Sequence, residues 1–432
     1  MKATDQMASS QYDPDQVSSA TTAKELQDLG VDIHLIPTLL YRRGLKELAE
    51  CHFEDAEEIF RAAVAEINEG FRWPWIGIIL SLLRQNRTSE AIEQTLTAAM
   101  TLPNSTAQSP IPLPWWLFQG EGGNPAVADS LQQVINRYPD DQEALISLSM
   151  VEAKLSQYKE AVNAIKRAAE LRWNTNDSNV SLQKRKTNDR KSPSFIIIGQ
   201  PKAGTTSLFD LISNHEDIDP PLLKEPSYWS LYHNNGRKWY SYIFPPIDHR
   251  PGTITFEAST SYFHNPMACI RIAEAWPSIK LVVVLRDPVE RAFSEYHQYL
   301  RLGLEKRSWE DVIKNEIENI AECPLTPEGM REQDINDSFL LRSASLPHLK
   351  RYLAHFSSKQ ILTIDYRNLS NQPLAEMNRI YDFIGITASS KKDLPRLNEG
   401  HYHEMNKQTK NLLTTWFADH NRVLDRLVQA LN

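Results

Sequence analysis

The stretch FIIIGQPKAGTTSLFDLISNH, Phe195 to His215, decides the fold. Four apolar residues, Phe195 to Ile198, run into Gly199, and a loop with Lys202 and Gly204 follows. Leu208, Leu211 and Ile212 then fall at helical spacing behind Thr205, Thr206 and Ser207. A short apolar run bounded by a turn signal is how a strand buried on both faces reads. A helix start offers unpaired N–H donors and the positive end of the helix dipole, so it attracts clustered anionic oxygens. Glycine lets the backbone approach such a ligand, hydroxyls add donors, and lysine adds a mobile positive charge. The stretch predicts a phosphate cradle between a buried strand and a helix beginning near Gly204.

Two further segments extend the pattern. LVVVLRDPVERAFSEYHQY, Leu281 to Tyr299, reads as a strand, then Arg286 at its exit, then a helix with Asp287 as cap and Pro288 at its first position. Ser294 lies two turns into that helix. ILTIDY, Ile361 to Tyr366, reads as a third strand. Strands alternating with helices predict an α/β domain, a P-loop-like parallel sheet flanked by helices with right-handed crossovers. Gly199 and Gly204 are spaced as in the Walker A pattern G-x-x-x-x-G-K-[ST], but Thr205 takes the lysine position and the charge sits earlier, at Lys202.

That displacement separates the loop from an ATP-binding one. PKAGTT (Pro201 to Thr206) resembles the 5′-phosphosulfate loop of sulfotransferases that use 3′-phosphoadenosine 5′-phosphosulfate, in particular the heparan-sulfate-type and bacterial carbohydrate branch. LRDPVERAFS (Leu285 to Ser294) is similar to the same family's L-R-[DN]-P-x-x-R-x-x-S element. The resemblance covers Ser194 to Asn432. It implies a sulfotransferase fold and a transfer of the sulfuryl group to an acceptor hydroxyl, of a carbohydrate or glycoconjugate, leaving adenosine 3′,5′-bisphosphate and requiring no metal. It further implies that Lys202, Ala203, Gly204, Thr205, Thr206 and Ser207 hold the 5′-phosphosulfate, and that Arg286 and Ser294 hold the 3′-phosphate. RLNEGHYHEMNKQTKNLLTTWF (Arg396 to Phe417) resembles the C-terminal nucleotide loop, with Gly400, His401 and Tyr402 at the contact positions and His401 where the family has arginine.

For the chemistry, the resemblance gives Lys202 the charge stabilisation at the bridging oxygen and gives Glu225, in PPLLKEPSYWS (Pro220 to Ser230), the part of general base. That segment matches the family's K-E-x-H-F-F stretch. It departs from it at Ser227, where the family has histidine, and Ala258 stands where some members have lysine. His233, His264 and His297 are other conceivable proton acceptors, for which ordinary packing roles are expected.

The chain before this domain has a different texture. Residues 1–35 form a polar leader. Residues 36–173 are expected to form an all-α helical repeat domain, in which Ala56, Ala91 and Ala161 are separated by 35 and 70 residues. That spacing resembles tetratricopeptide repeats and suggests a surface that recruits acceptor or a protein partner. Residues 174–193, polar with a basic run, read as a linker before the catalytic domain at 194–432.

At 432 residues with 41% hydrophobic and 24% charged side chains, the chain has an ordinary globular composition with room for two or three domains. A net charge of −8 excludes bulk-charge binding of nucleic acid. All of it falls in residues 1–189, which carry 18 basic and 26 acidic side chains, whereas residues 190–432 carry 29 of each. Cys51, Cys269 and Cys323 have neither disulfide nor zinc spacing, the N-terminus has no apolar signal segment, and the longest apolar run, Trp73 to Leu83, is too short to span a bilayer. A cytoplasmic, bacterial protein is the expectation. The rival readings are a P-loop kinase and a repeat scaffold with a vestigial nucleotide domain.

Overall fold

The structure is a computed structural model. It describes residues 20–29, 31–50, 52–66, 72–102, 108–114, 117, 124–174, 189–301, 304–320, 325–388 and 404–431. The chain divides into two compact units, Met1–Ala164 with Leu300–Leu304, and Ile165–Tyr299 with Glu305–Asn432.

The first unit is all-helical, as the alanine spacing predicts. It contains α1 (Ala23–Asp28), α2 (Ile36–Ala49), α3 (Phe53–Ala65), α4 (Trp73–Arg84), α5 (Thr88–Thr101), α6 (Pro125–Arg137), α7 (Gln142–Lys154) and the start of α8 (Tyr158–Asn174). Ala56, Phe60, Ala63, Ala91, Ala98 and Ala161 are fully buried, so the small residues line the helix contacts. The Phe60 ring fills the slot left by two glycines: a Cβ on either Gly44 or Gly77 would lie 2.6 Å from it. α3 therefore packs between α2 and α4 at close range.

Three hairpin turns close in the same way. The His52, Arg87 and Gln157 N–H groups each donate 2.9 Å to a carbonyl five residues back, Glu47, Leu82 and Glu152. This is the wide-turn bond of a Schellman helix end. Asn86 and Ser156 hold the left-handed position just before it, with φ 60° and 61°. The three turns lie 35 and 70 residues apart. The Pro-rich segment between α5 and α6 is tied to α7, where Ser109 N–H donates to Asp141 Oδ2 (2.7 Å) and Leu113 N–H to Glu143 Oε2 (3.1 Å).

The second unit is built on four parallel strands in the order β2-β1-β3-β4: β1 (Pro193–Gly199), β2 (Thr255–Ala258), β3 (Lys280–Leu285) and β4 (Ile361–Asp365). After β1 comes α9 (Thr205–Ser213), then the short α10 (Gly236–Ser241), and after β2 comes α11 (Pro266–Ala275). After β3 the chain forms α12 (Pro288–Arg301), α13 (Trp309–Ile320), α14 (Glu332–Asn336), α15 (Phe339–Ser343) and α16 (Ser345–Leu353). Following β4 are α17 (Tyr366–Asn371), α18 (Pro373–Ile384), α19 (Lys407–Trp416) and α20 (Ala418–Leu431). One sheet face, Phe195, Ile197, Val282, Val284 and Ile364, packs on Leu208, Leu211 and Ile212 of α9 and on Met377 and Ile380 of α18. Ile196, Ile198, Leu281 and Val283 on the other face are equally buried, as a parallel sheet covered on both sides requires.

The three strands expected from apolar runs are present. β2 is an addition, because TFEA is four residues long and carries a carboxylate, and it gives no apolar run to read. Cys269 is buried with a free thiol, which burial pushes up to about 12, whereas Cys51 and Cys323 lie outside the described residues. No helix among the described residues is long and apolar enough to cross a membrane.

Gly77→Ala should destabilise the helical unit by about 1–3 kcal/mol, since overpacking against Phe60 outweighs the roughly 1 kcal/mol gain in helix propensity. Adding Phe60→Leu should recover part of that loss in denaturant unfolding, and a Gly77→Ala protein as stable as the parent would contradict the close packing.

Candidate active site

Strand order places the site. The chain leaves β1 for β2 on one side and later returns to β3 on the other, so the carboxyl ends of β1 and β3 flank a topological switch point. Gly199 ends β1 at φ 150°, and a Cβ there would lie 2.7 Å from the Phe263 Cβ, so only glycine fits. The next residue, Gln200, is fully buried and joins three elements. Its N–H donates to the Val284 carbonyl of β3 (3.0 Å), its Nε2 to Ser345 Oγ of α16 (2.8 Å), and its Oε1 accepts from the Arg286 N–H (3.1 Å).

Lys202 has a left-handed backbone, φ 66°, and its carbonyl accepts from Arg286 Nη1 at 2.7 Å. The Arg286 guanidinium also lies over the Tyr366 ring, 4.8 Å from its centre. Three strand ends thus meet at one arginine, and the two residues expected to bind opposite ends of a nucleotide are in direct contact. Ala203, Thr205 and Ser207 are buried and Thr206 is exposed. α9 has Gly204 at its N-cap and no side-chain cap, a feature it shares with several other helices of the described chain. The donors of its first turn are left for a ligand.

Asp287 caps α12 as expected, its Oδ1 accepting from the N–H groups of Val289 and Glu290 (3.0 and 3.1 Å). Ser294 is buried on the same helix. Arg291, the second arginine of the motif, is turned inward. Its Nε donates to Ser343 Oγ (2.9 Å), its Nη2 pairs with Glu295 Oε2, and Arg342 Nε reaches the same oxygen (3.0 Å). Burial raises the Glu295 carboxyl, but the two arginines outweigh it and hold the group below its ordinary range. The bonds to Ser343 and Arg342 tie the helix that carries Ser294 to α15.

Glu225 lies at the carboxyl end of β2, the strand next to β1, where its N–H donates to the Ala258 carbonyl (2.9 Å). Its side chain is 35% exposed and its Oε1 pairs with Lys224 Nζ. Glu225 and Ser227 have φ 59° and 50°. With Lys202 they make three of the six non-glycine positive-φ residues in the described chain, all at the carboxyl edge of β1 and β2. Such conformations persist where surrounding structure enforces them, commonly at functional sites. Gly400, His401 and Tyr402 lie outside the described residues.

Of the three histidines, His264 is half-buried, and desolvation together with Arg342, Arg291 and Arg351 pushes it down to about 3. Burial and two arginines, Arg271 and Arg237, also lower His233. The residues missed by the sequence reading are Gln200, Tyr366 and above all Glu257. Glu257 is fully buried on β2, its Oε2 accepts from the Tyr240 hydroxyl and its Oε1 from Ser259 Oγ (2.8 Å). Burial pushes its carboxyl up to about 7, against the hydrogen bonds of Tyr240, Tyr262 and Ser259. A lone glutamate between Phe256 and Ala258 was the available signal.

With this geometry in place, the comparisons with known proteins agree. Residues 192–421, more than half of the chain, match the sulfotransferase domain family, and the chain belongs to that family. It is 27% identical over 272 residues to the mouse bifunctional heparan sulfate N-deacetylase/N-sulfotransferase 4, covering 55% of this chain and 30% of that protein. It is 31% identical over 199 residues to human heparan sulfate glucosamine 3-O-sulfotransferase 3B1, covering 46% and 47%. The chain therefore spans less than half the length of either relative. A crystal structure of a sulfotransferase from Alicyclobacillus acidocaldarius matches 55% of this chain and 96% of its own at 25% identity and a TM-score of 0.46.

Because folding raises the Glu257 carboxyl from 4.5 to about 7, the protonated form favours the folded state. That contribution is complete below pH 4.5 and lost as pH rises through 7, about 3 kcal/mol at ~1.4 kcal/mol per unit. Glu257→Gln should therefore gain stability relative to the parent between pH 4.5 and 7, read as a growing difference in thermal midpoint. A constant difference across that window would contradict the assignment.

Proposed function

We propose that the protein transfers the sulfuryl group of 3′-phosphoadenosine 5′-phosphosulfate to an acceptor hydroxyl on a carbohydrate or glycoconjugate. The observation that carries this reading is the contact between Arg286 and the Lys202 carbonyl beside an uncapped helix start, within a chain of the sulfotransferase family. The site suits the donor. Lys202 and the first-turn N–H groups of α9 offer cations and donors to a 5′-phosphosulfate, and Arg286 with Ser294 offers a planar fork and a hydroxyl to a 3′-phosphate.

When bound, the nucleotide supplies the sulfuryl group and the leaving phosphate. Glu225 takes the acceptor O–H proton as the acceptor oxygen bonds to sulfur. Lys202 stabilises the electron pair left on the phosphate oxygen when the bridging S–O bond breaks. Both groups sit on backbone that neighbouring strands hold in place, which reduces reorganisation during the step. The curated relatives are named for heparan sulfate, which supports a glycan acceptor, and their names include both N- and O-transfer. The helical array, with its hairpin turns repeated at tetratricopeptide-like spacing, is proposed to recruit the acceptor or a protein partner. The cytoplasm is proposed as its compartment on the cysteine usage, and cell fractionation would check it.

Adenosine 3′,5′-bisphosphate should bind in calorimetry more tightly than ATP with magnesium, a preference a P-loop kinase would reverse. Arg286→Ala should weaken that binding at least tenfold. Glu225→Gln should bind the bisphosphate as the parent does but lose roughly 10²–10⁴ in turnover with a heparan-type acceptor. Parental turnover by Glu225→Gln would remove the base from this scheme.

A further inference from the structure

Glu257 is a carboxylate placed where its ionised form is disfavoured, and its contacts show what it does there. Its partners come from three segments, Tyr240 in α10, Ser259 and Tyr262 just after β2, and the Trp229 indole, which donates to the Tyr240 oxygen at 3.2 Å. No cation pairs with it in these contacts. Each hydroxyl has one proton, and when Glu257 is ionised, above its raised titration point, each gives it to the carboxylate.

That commitment fixes where the hydroxyl lone pairs point. Ser259 Oγ accepts from the Ser227 N–H at 3.0 Å, and the Tyr262 hydroxyl accepts from the Trp229 N–H at 3.2 Å. Together with the Glu225 N–H on the Ala258 carbonyl, the alternate N–H groups of residues 225, 227 and 229 are all pinned to β2 and the turn after it. These are the residues that carry the left-handed backbone at Glu225 and Ser227. A hydroxyl with no strong acceptor is free to rotate and present its proton to a backbone N–H, which repels it. An anion behind the hydroxyls forbids that rotation.

We propose that Glu257 is a positioning residue for the reaction, whose carboxylate orients Ser259 and Tyr262 so that they hold the loop presenting Glu225. This rests on the reading of Glu225 as the base. The cost in stability of a buried carboxylate is then explained by function, since an amide of the same shape lacks the second acceptor oxygen. Ser259 and Tyr262 pass the constraint from the sheet to the loop, and Glu257 itself touches neither donor nor acceptor.

The test uses the full chain and two readouts. In Glu257→Gln, amide exchange at residues 225–229 should rise at least tenfold while exchange in residues 205–213 stays at the parental rate. Turnover with 3′-phosphoadenosine 5′-phosphosulfate and desulfated heparin fragments should fall at least tenfold in kcat, with KM for the nucleotide and affinity for adenosine 3′,5′-bisphosphate within threefold of the parent. Ser259→Ala, which cuts only the Ser227 arm, should show the same exchange pattern to a lesser degree and serves if the glutamine variant does not fold. Parental exchange at 225–229, or a loss of kcat matched by a loss of nucleotide affinity, would overturn the proposal. If Glu225→Gln keeps parental turnover, the base reading fails alone, and the exchange measurement still decides whether Glu257 holds the loop.

Discussion

The contact of the Arg286 guanidinium with the Lys202 carbonyl is the constraint on which the catalytic unit turns. It exists because β1 and β3 are adjacent although a whole strand separates them in sequence, so a loop leaving one and an arginine leaving the other reach the same point. Tyr366, at the exit of β4, backs the guanidinium, and Gln200 closes the gap between the strand ends. The loop's left-handed turn at Lys202 is then held from outside. Residues 190–432 are electrically neutral overall, so the positive charge at these strand ends comes from a few placed groups and a helix start and not from a general field.

Two carboxylates on neighbouring segments divide the remaining work by their surroundings. Glu225 is partly exposed, paired with Lys224, and open to an incoming hydroxyl. Glu257 is sealed among phenols and a serine. In the proposed scheme the same functional group acts on substrate in one setting and on protein in the other, and burial is the variable that separates their surroundings. Buried polar networks of this kind are costly when half satisfied, and here every hydroxyl has both a carboxylate to donate to and a backbone or indole N–H to accept from.

The sheet's three apolar strands were legible because burial on both faces writes itself as uninterrupted β-branched residues. β2 was not, because a four-residue edge strand with a glutamate has no such signature. The strand–loop–helix geometry around Lys202 and the Asp287 cap were legible because they depend on residues close in sequence: Lys202 and Gly204 are two apart, Arg286 and Asp287 adjacent. The Glu257 network was hidden because its members, Trp229, Tyr240 and Tyr262, come from separate segments and meet only through the fold. Arg291, a motif residue to which the sequence assigns no role, is turned inward to Glu295 by the fold.

Phe60 lies against both Gly44 and Gly77, so one ring sets the spacing of α3 to the helices on either side. Two contacts that share a single spacer cannot adjust separately: sliding one helix tips the ring and changes the gap on the other side. Those three helices therefore move as one strip, and a shift of the outer helix on one side reaches the outer helix on the other through a single ring.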